Sequence, residues 1–164
     1  MPETATASVI TPIGLVVLTA TQDALVSVRI RPQGGQASLP AIHPLLMDAA
    51  RQMDDWFAGK RIGFDMPLVP LDSAEGESLR AGIASVGYGE TLTYGALADR
   101  IGSAARAVGQ ACKTNTYPII IPCHRVVSSA GPEFYSGGAG PRTKSWLLDF
   151  EYDHLPPDRR NRLL

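Results

Sequence analysis

Thr93-Tyr94-Gly95-Ala96-Leu97-Ala98-Asp99-Arg100-Ile101-Gly102-Ser103-Ala104-Ala105-Arg106-Ala107-Val108-Gly109-Gln110-Ala111-Cys112-Lys113 reads as two short helices joined at a glycine. Thr93 has the side chain of an N-cap, and Tyr94, Leu97, Ala98 and Ile101 follow it at i, i+3, i+4 and i+7. Gly102 breaks this first helix. Ser103 is the expected cap of the second, whose expected inward face is Ala104, Ala105, Val108, Ala111 and Cys112. Helix, glycine turn, helix is the pattern of a helix-turn-helix. On the outward face Arg106, Gly109 and Lys113 stand at i, i+3 and i+7. Cations flanking a residue without a side chain allow the helix backbone to approach a phosphate closely. The alternative is an ordinary solvated face.

Downstream, Thr116-Tyr117-Pro118-Ile119-Ile120-Ile121-Pro122 leads into Cys123-His124-Arg125-Val126-Val127. Three isoleucines between prolines predict a stiff, buried, extended lead-in that fixes the approach to Cys123. The neighbouring His124 supplies an imidazole, the usual group for activating a thiol near neutral pH. A carboxylate is normally needed to fix the imidazole tautomer. Glu151 offers one at the end of a predicted helix 141–151, and Asp149 and Asp153 compete with it on spacing. Against this stands the habit of free cysteines to act as small buried hydrophobes. Cys112, Cys123 and His124 lack the paired spacing of a zinc site. Residues 136–145 are glycine-rich, but Thr143 stands where a phosphate-binding loop needs its last glycine before Lys144-Ser145. A loop entering a proline-started helix with Trp146, Leu147 and Phe150 buried is the expected form. Asp158-Arg159-Arg160-Asn161-Arg162 reads as a solvated tail.

Upstream, Ala7–Ile10, Leu15–Ala20 and Leu25–Ile30 are β-branched runs separated by turn residues, which predicts an antiparallel meander. Leu45, Leu46, Ala49, Met53 and Trp56 recur at helical spacing between His43 and Ala58, and Gly59 ends the pattern. Residues 66–75 hold two prolines and read as a linker, followed by a helix over Ser78–Val86. The chain has 164 residues, 45% hydrophobic and 19% charged, the profile of a globular protein. No apolar run approaches the roughly 20 residues of a membrane span. The start, Met1-Pro2-Glu3-Thr4, shows no secretory signal, and two cysteines point to a reducing compartment. The net charge of −1 argues on its face against a nucleic-acid partner. It conceals a split: residues 1–90 carry a net −4 and residues 91–164 a net +3.

Pro122-Cys123-His124-Arg125-Val126 resembles the active-site motif of the O6-alkylguanine-DNA alkyltransferases. Arg106-Ala107-Val108-Gly109, Asn115, Pro118-Ile119-Ile120-Ile121, Tyr135-Ser136-Gly137-Gly138 and Lys144-Ser145-Trp146-Leu147-Leu148 follow in the family's order. Gly89-Glu90-Thr91-Leu92-Thr93-Tyr94 matches the segment before the helix-turn-helix. The resemblance is close over residues 87–151 and faint before them. It implies an α/β N-terminal domain over residues 1–70, a small antiparallel sheet plus helix of ribonuclease H-like form. A mainly α, winged helix-turn-helix-like domain follows over 71–155, then a basic tail over 156–164.

The implied activity is single-use DNA repair. Cys123 takes the alkyl group from O6-alkylguanine, with O4-alkylthymine as a further lesion, and keeps it as a thioether. The resemblance makes His124 the base, acting through a water, and selects Glu151 as the group that orients it. Asn115 stabilises the active-site turn, and Tyr94 hydrogen-bonds the departing guanine. Tyr135, Ser136 and Val126 line the pocket. The target nucleotide must leave the helix, and Arg106 fills the gap. Ala104, Ala105 and Gly109 keep the recognition helix slim enough for the minor groove, and Ser129 is a further DNA contact. The resemblance implies no cofactor or metal, double-stranded DNA as partner, no membrane, a monomer, and a cytoplasmic (or, in a eukaryote, nuclear) location.

The sequence departs from the family in one region. An aromatic-glutamine start and a tryptophan are usual before Gly87, where this chain has Glu75-Gly76 and Arg80. Gly87 itself replaces a usual proline. An alkyltransferase-like module that binds lesions without transferring the alkyl group is the alternative, although such relatives normally lack the cysteine. A hydrolase built on Cys123 and His124 would need an oxyanion hole and turnover.

Overall fold

β-branched residues at alternate positions give the first third of the chain its three strands, β1 (Ala5–Thr11), β2 (Gly14–Ala20) and β3 (Leu25–Arg31). The computed structural model of the chain describes residues 2–40, 42–129 and 137–161, so Tyr135 and Ser136 lie outside the described residues. The chain divides into two compact units. One comprises Met1–Leu71 with Thr116–Ile120, the other Asp72–Asn115 with Ile121–Leu164.

In the first unit the strands form an antiparallel sheet in the order β1-β2-β3. The register aligns Ala7, Leu18 and Val28 in one row and Val9, Val16 and Ile30 in the next. All six are buried on one face, which helix α1 (Pro44–Phe57) covers with Leu46, Ala49, Met53 and Trp56. The meander and the helix are thus the predicted ones. His43 caps α1 by accepting the Leu46 N–H at Nδ1, 3.2 Å away.

The lead-in to Cys123 differs from expectation. Residues 118–121 form a turn, not an extended strand, and Ile119 sits at φ 75°. A β-branched residue in the left-handed region costs on the order of 1–3 kcal/mol and persists only where its surroundings hold it. Here the two residues before the turn, Thr116 and Tyr117, are held. Val28 N–H donates to Thr116 O at 2.9 Å, and Tyr117 is buried with its hydroxyl on Leu25 O at 2.8 Å.

The second unit starts with α2 (Ala74–Ala84), earlier than the predicted helix and inside the predicted linker. Ser73 accepts the Gly76 N–H at 3.0 Å, and Glu75 and Glu77 complement the helix dipole. Only the stretch through Pro70 is broken by proline. The two-residue strand β4 (Leu92–Thr93) runs into α3 (Tyr94–Ile101), capped by Thr93 on Ala96 N–H as expected. Gly102 ends α3 at φ 68°, ψ 39°, a left-handed position that suits glycine. α4 (Ala105–Lys113) then packs against α3.

The N-cap of α4 is Ala104, with no side-chain bond, and not Ser103, whose N–H instead closes α3 on Ala98 O. Ala104 and Ala105 are exposed, so the inward face of α4 is narrower than predicted and rests on Val108 and Cys112. A 3-10 turn (Cys123–Arg125) leads into β5 (Val126–Val127), which pairs in parallel with β4.

Helix α5 (Pro141–Asp153) buries Thr143, Lys144, Leu147 and Glu151. Trp146 and Phe150 are only half-buried and stack on each other, so the predicted inward face was rotated by about one position. The segment read as a solvated tail forms a short helix, α6 (Pro157–Asn161), and Tyr152 reaches back to Arg160 O. Among the described residues no helix is long and apolar enough to cross a membrane.

Candidate active site

The 3-10 turn places three consecutive side chains, Cys123, His124 and Arg125, in the interior of the second unit. A run of histidine and arginine buries only if its charges and donors are matched. Glu151, two residues before the C-terminal end of α5 and fully buried, supplies the match. Its Oε2 lies 2.6 Å from His124 Nε2 and 2.9 Å from Arg125 Nη2, and its Oε1 accepts from Arg125 Nε at 2.9 Å. The N–H of Gly89 donates to the same Oε1 at 3.0 Å. Gly89 sits at φ 77°, and a Cβ there would strike Leu155 at 2.4 Å, so glycine is required for that approach. Arg125 also donates to Val86 O at 2.7 Å and lies over the Tyr88 ring.

This network decides the protonation states. Burial alone would raise the Glu151 pKa, but the His124 hydrogen bond and the Arg125 guanidinium outweigh it and pull the carboxyl from 4.5 to about 2. Glu151 is therefore an anion that accepts from His124 Nε2–H. Burial depresses the His124 pKa more than Glu151 raises it, so the ring is neutral at neutral pH. With the proton on Nε2, the lone pair lies on Nδ1, which is buried and has no hydrogen-bond partner among the described residues. A neutral imidazole with a free basic nitrogen is a general base. Glu151 remains anionic against this neutral ring because Arg125 supplies the fixed positive charge.

Burial pushes the Cys123 thiol pKa up, opposed by a hydrogen bond from Asn115 and by the charge of Lys144. Asn115 Nδ2 lies 3.2 Å from Cys123 Sγ and also donates to Ile121 O at 2.9 Å. The resting state is thus a protonated thiol beside a neutral base, not a thiolate–imidazolium pair. Cys112, also free, is raised to about 12, chiefly by burial. That thiol is chemically quiet.

Lys144 is the residue the sequence reading missed. It is 1% exposed, its ammonium donates to Val126 O at 2.7 Å, and it stands 5.9 Å from the centre of the Tyr94 ring. A buried cation near the Tyr94 ring, whose charge also acts on the Cys123 thiol, favours negative charge on either. Its position was readable: Lys144, Leu147 and Glu151 stand at i, i+3 and i+7, so a helix that points Glu151 inward must bury Lys144. Arg125 was missed for a different reason. An arginine beside a reactive histidine reads as a surface cation until its carboxylate is seen.

The structure therefore brings together Cys123, His124, Glu151 and Asn115, with Val126 and Tyr94 joined through Lys144. Tyr94 also lies over Gly109, at ordinary van der Waals distance from a Cβ built there. Arg106, Ala104 and Ala105 are exposed on one end of α4, and Ser129 is exposed after β5.

The network also sets the acid limit of the fold. Glu151 is more acidic folded than unfolded, so its carboxylate adds stability above pH 4.5 that is lost as pH falls toward 2. His124 acts in the same sense at higher pH. Below its ordinary 6.5 the unfolded chain binds a proton that the folded one refuses. Urea unfolding from pH 8 to 3 should show constant stability above about pH 7, a decline below 6.5 and a steeper one below 4.5. Constant stability from pH 7 to 4 would contradict these protonation states.

Comparison with known proteins places this geometry. The family model described as "6-O-methylguanine DNA methyltransferase, DNA binding domain" matches residues 77–152. Over 152 residues the chain is 34% identical to the methylated-DNA–protein-cysteine methyltransferase of Mycobacterium bovis, covering 90% of this chain and 92% of that protein. The chain belongs to the methylated-DNA–protein-cysteine methyltransferase family. The crystal structure of Mycobacterium tuberculosis O6-methylguanine methyltransferase superposes with a TM-score of 0.80 at 30% identity, over 96% of this chain and 98% of that one. The crystal structure of Mycobacterium tuberculosis OGT in complex with DNA gives 0.74 at 30% identity, over 93% and 96%. These matches run through both units.

Proposed function

We propose that the protein repairs DNA directly, by moving an alkyl group from guanine O6 to Cys123 in a single turnover. It is a methylated-DNA–[protein]-cysteine S-methyltransferase. The observation that carries the assignment to Cys123 is the free, buried Nδ1 of a neutral His124 in a site where Asn115 holds the sulfur.

The thiol proton passes to His124 Nδ1 through a water. The sulfur attacks the alkyl carbon, the carbon–O6 bond breaks, and its electron pair leaves on the guanine. Glu151 keeps the imidazole in the tautomer that accepts this proton and steadies the imidazolium that forms. Tyr94 hydrogen-bonds the departing base as negative charge grows on it, with Lys144 reinforcing the phenol as a donor. The product thioether has no easy reverse, so no regeneration step is needed.

A base inside a duplex cannot reach a buried sulfur, which requires the nucleotide to be flipped out. Arg106, exposed on α4, fills the gap, and the small residues Ala104, Ala105 and Gly109 suit entry of α4 into the minor groove. Ser129 adds a contact to the DNA, and Val126, with Tyr135 and Ser136, lines the base pocket. O4-alkylthymine is a further substrate. The N-terminal domain, residues 1–70, is ribonuclease H-like, and residues 71–155 form a winged helix-turn-helix-like domain that carries out transfer and DNA binding, followed by a basic tail. The protein acts as a monomer, in the cytoplasm or nucleus.

Intact mass after incubation with a duplex containing O6-methylguanine tests this reading. One methyl group should appear on the protein, and peptide mapping should place it on Cys123. Binding to the lesion without any adduct would favour a recognition module, and an adduct on Cys112 would move the chemistry elsewhere.

A further inference from the structure

His124, Arg125 and Glu151 bury an imidazole, a fixed cation and a carboxylate in contact, all within the second unit. The guanidinium meets both carboxylate oxygens. Arg125 Nε lies 2.9 Å from Oε1 and 3.2 Å from Oε2, and Nη2 lies 2.9 Å from Oε2. The remaining nitrogen, Nη1, donates to Val86 O at 2.7 Å, and Cζ lies 5.5 Å from the centre of the Tyr88 ring. The cation is thus held by neighbours other than its counter-ion.

The charge of this cluster decides how many protons the His124–Glu151 pair holds. With the cation present, an anionic Glu151 and a neutral His124 balance it, and the pair keeps one proton, on Nε2. Without the cation the same pair is a buried net anion, and burial favours uptake of a second proton. That proton has two arrangements. Either an imidazolium stands beside the carboxylate, or a protonated Glu151 donates to Nε2 of a neutral ring. Both carry hydrogen on Nδ1, so in neither does the ring accept the thiol proton. Gly89 N–H also donates to Oε1, so the carboxylate keeps a contact besides His124 when the cation is removed. The other ionisable groups facing the pair do not replace the guanidinium. The Tyr88 phenol is pushed up to about 12, chiefly by burial, and stays neutral. Burial also pushes the Cys123 thiol up. The Lys144 charge acts on His124 in the same sense as Arg125, but its ammonium is engaged with Val126 O, whereas the guanidinium lies on the carboxylate itself.

We propose that Arg125 is a positioning residue for the general base: lying on both Glu151 oxygens, it holds the His124–Glu151 pair to one proton and so keeps Nδ1 open to the proton of Cys123. The inference rests on His124 as the base for Cys123.

The test uses Arg125→Gln and Arg125→Lys in the full-length protein. It reads the pH profile of methyl uptake from duplex O6-methylguanine, and the protonation of the histidine ring nitrogens by heteronuclear NMR, with His43 and His154 assigned by substitution. In the wild type His124 Nδ1 should carry no proton at pH 7. In Arg125→Gln the acid limb of the rate profile should move up by about one to two pH units, with the protonation of Nδ1 moving in step. The rate deficit should therefore shrink as pH rises. Arg125→Lys keeps the charge and loses the fork, so it should react more slowly with its acid limb within about half a unit of wild type. A deficit in Arg125→Gln that is the same at every pH, the mark of a merely structural role, would overturn the proposal. So would a proton on Nδ1 of the wild type at pH 7. Where Arg125→Gln does not fold, the wild-type ring and the lysine variant decide, and an acid limb displaced by about a unit or more in Arg125→Lys would overturn it. The NMR reading needs no repair reaction. A wild-type protein with Nδ1 open that takes no methyl group from DNA would therefore count against the repair function and not against the role of Arg125.

Discussion

Glu151→Gln should slow alkyl uptake by roughly 10²–10⁴-fold and destabilise the fold by about 3–5 kcal/mol. Both effects come from one carboxylate that faces His124, Arg125 and Gly89 N–H. Glutamine keeps the shape but loses the charge, which leaves the Arg125 guanidinium buried without its counter-ion. The amide also presents two N–H donors. One of them turned toward His124 Nε2 selects the tautomer with its proton on Nδ1, which cannot accept a proton from the thiol. Stability is read by urea unfolding and the rate by intact mass over time. Measuring the rate at a low temperature, where circular dichroism shows the variant folded, keeps the two effects apart. A folded Glu151→Gln protein that reacts within about threefold of wild type would show that the tautomer does not matter to the chemistry.

The position of Glu151 shows how far the sequence could be read. Local periodicity placed the meander, α1, α3 and the glycine turn, because in those segments the apolar pattern and the caps agree. It failed where a tertiary partner decides. The turn at Ile119 cannot be expected from three isoleucines, since β-branched residues disfavour positive φ. It exists because Thr116 and Tyr117 are bonded to β3. The face of α5 was misjudged because Trp146 and Phe150 outrank lysine on any hydrophobic scale, although Lys144 is the residue enclosed. A lysine is buried only where a carbonyl awaits it, here Val126 O, and that carbonyl is fixed by a strand pair invisible to periodicity. Ser103 was chosen as a cap on residue type, yet its N–H was already committed to the glycine-terminated end of α3.

Among the site residues, spacing alone found Cys123 and His124 and left three carboxylates in competition. Helical geometry separates them. Asp149 and Asp153 are exposed on α5, while Glu151 shares the inward face with Lys144 and Leu147. The bulk charge of −1 was the least informative number. Affinity for DNA depends on the cations that meet phosphates and not on the total charge.

Arg106→Ala should separate recognition of the duplex from chemistry on the base. Arg106 is exposed at the start of α4, and none of the hydrogen bonds described around Cys123 and Glu151 includes it. Repair of O6-methylguanine in a duplex should therefore fall by roughly 10–100-fold, the 1–3 kcal/mol that a side chain contributes by stacking where a base has left. Reaction with free O6-alkylguanine, which needs no flipping, should stay within about twofold. A single-stranded oligonucleotide carrying the lesion should fall between the two, because it loses the phosphate contact but leaves no gap in a stack. The measured quantity is the second-order rate of adduct formation on each substrate at fixed salt. Equal losses on duplex and free base would place Arg106 in the chemistry. Equal losses on duplex and single strand would reduce it to a phosphate contact. Only a loss graded by the cost of opening the helix identifies the side chain that takes the place of the flipped nucleotide.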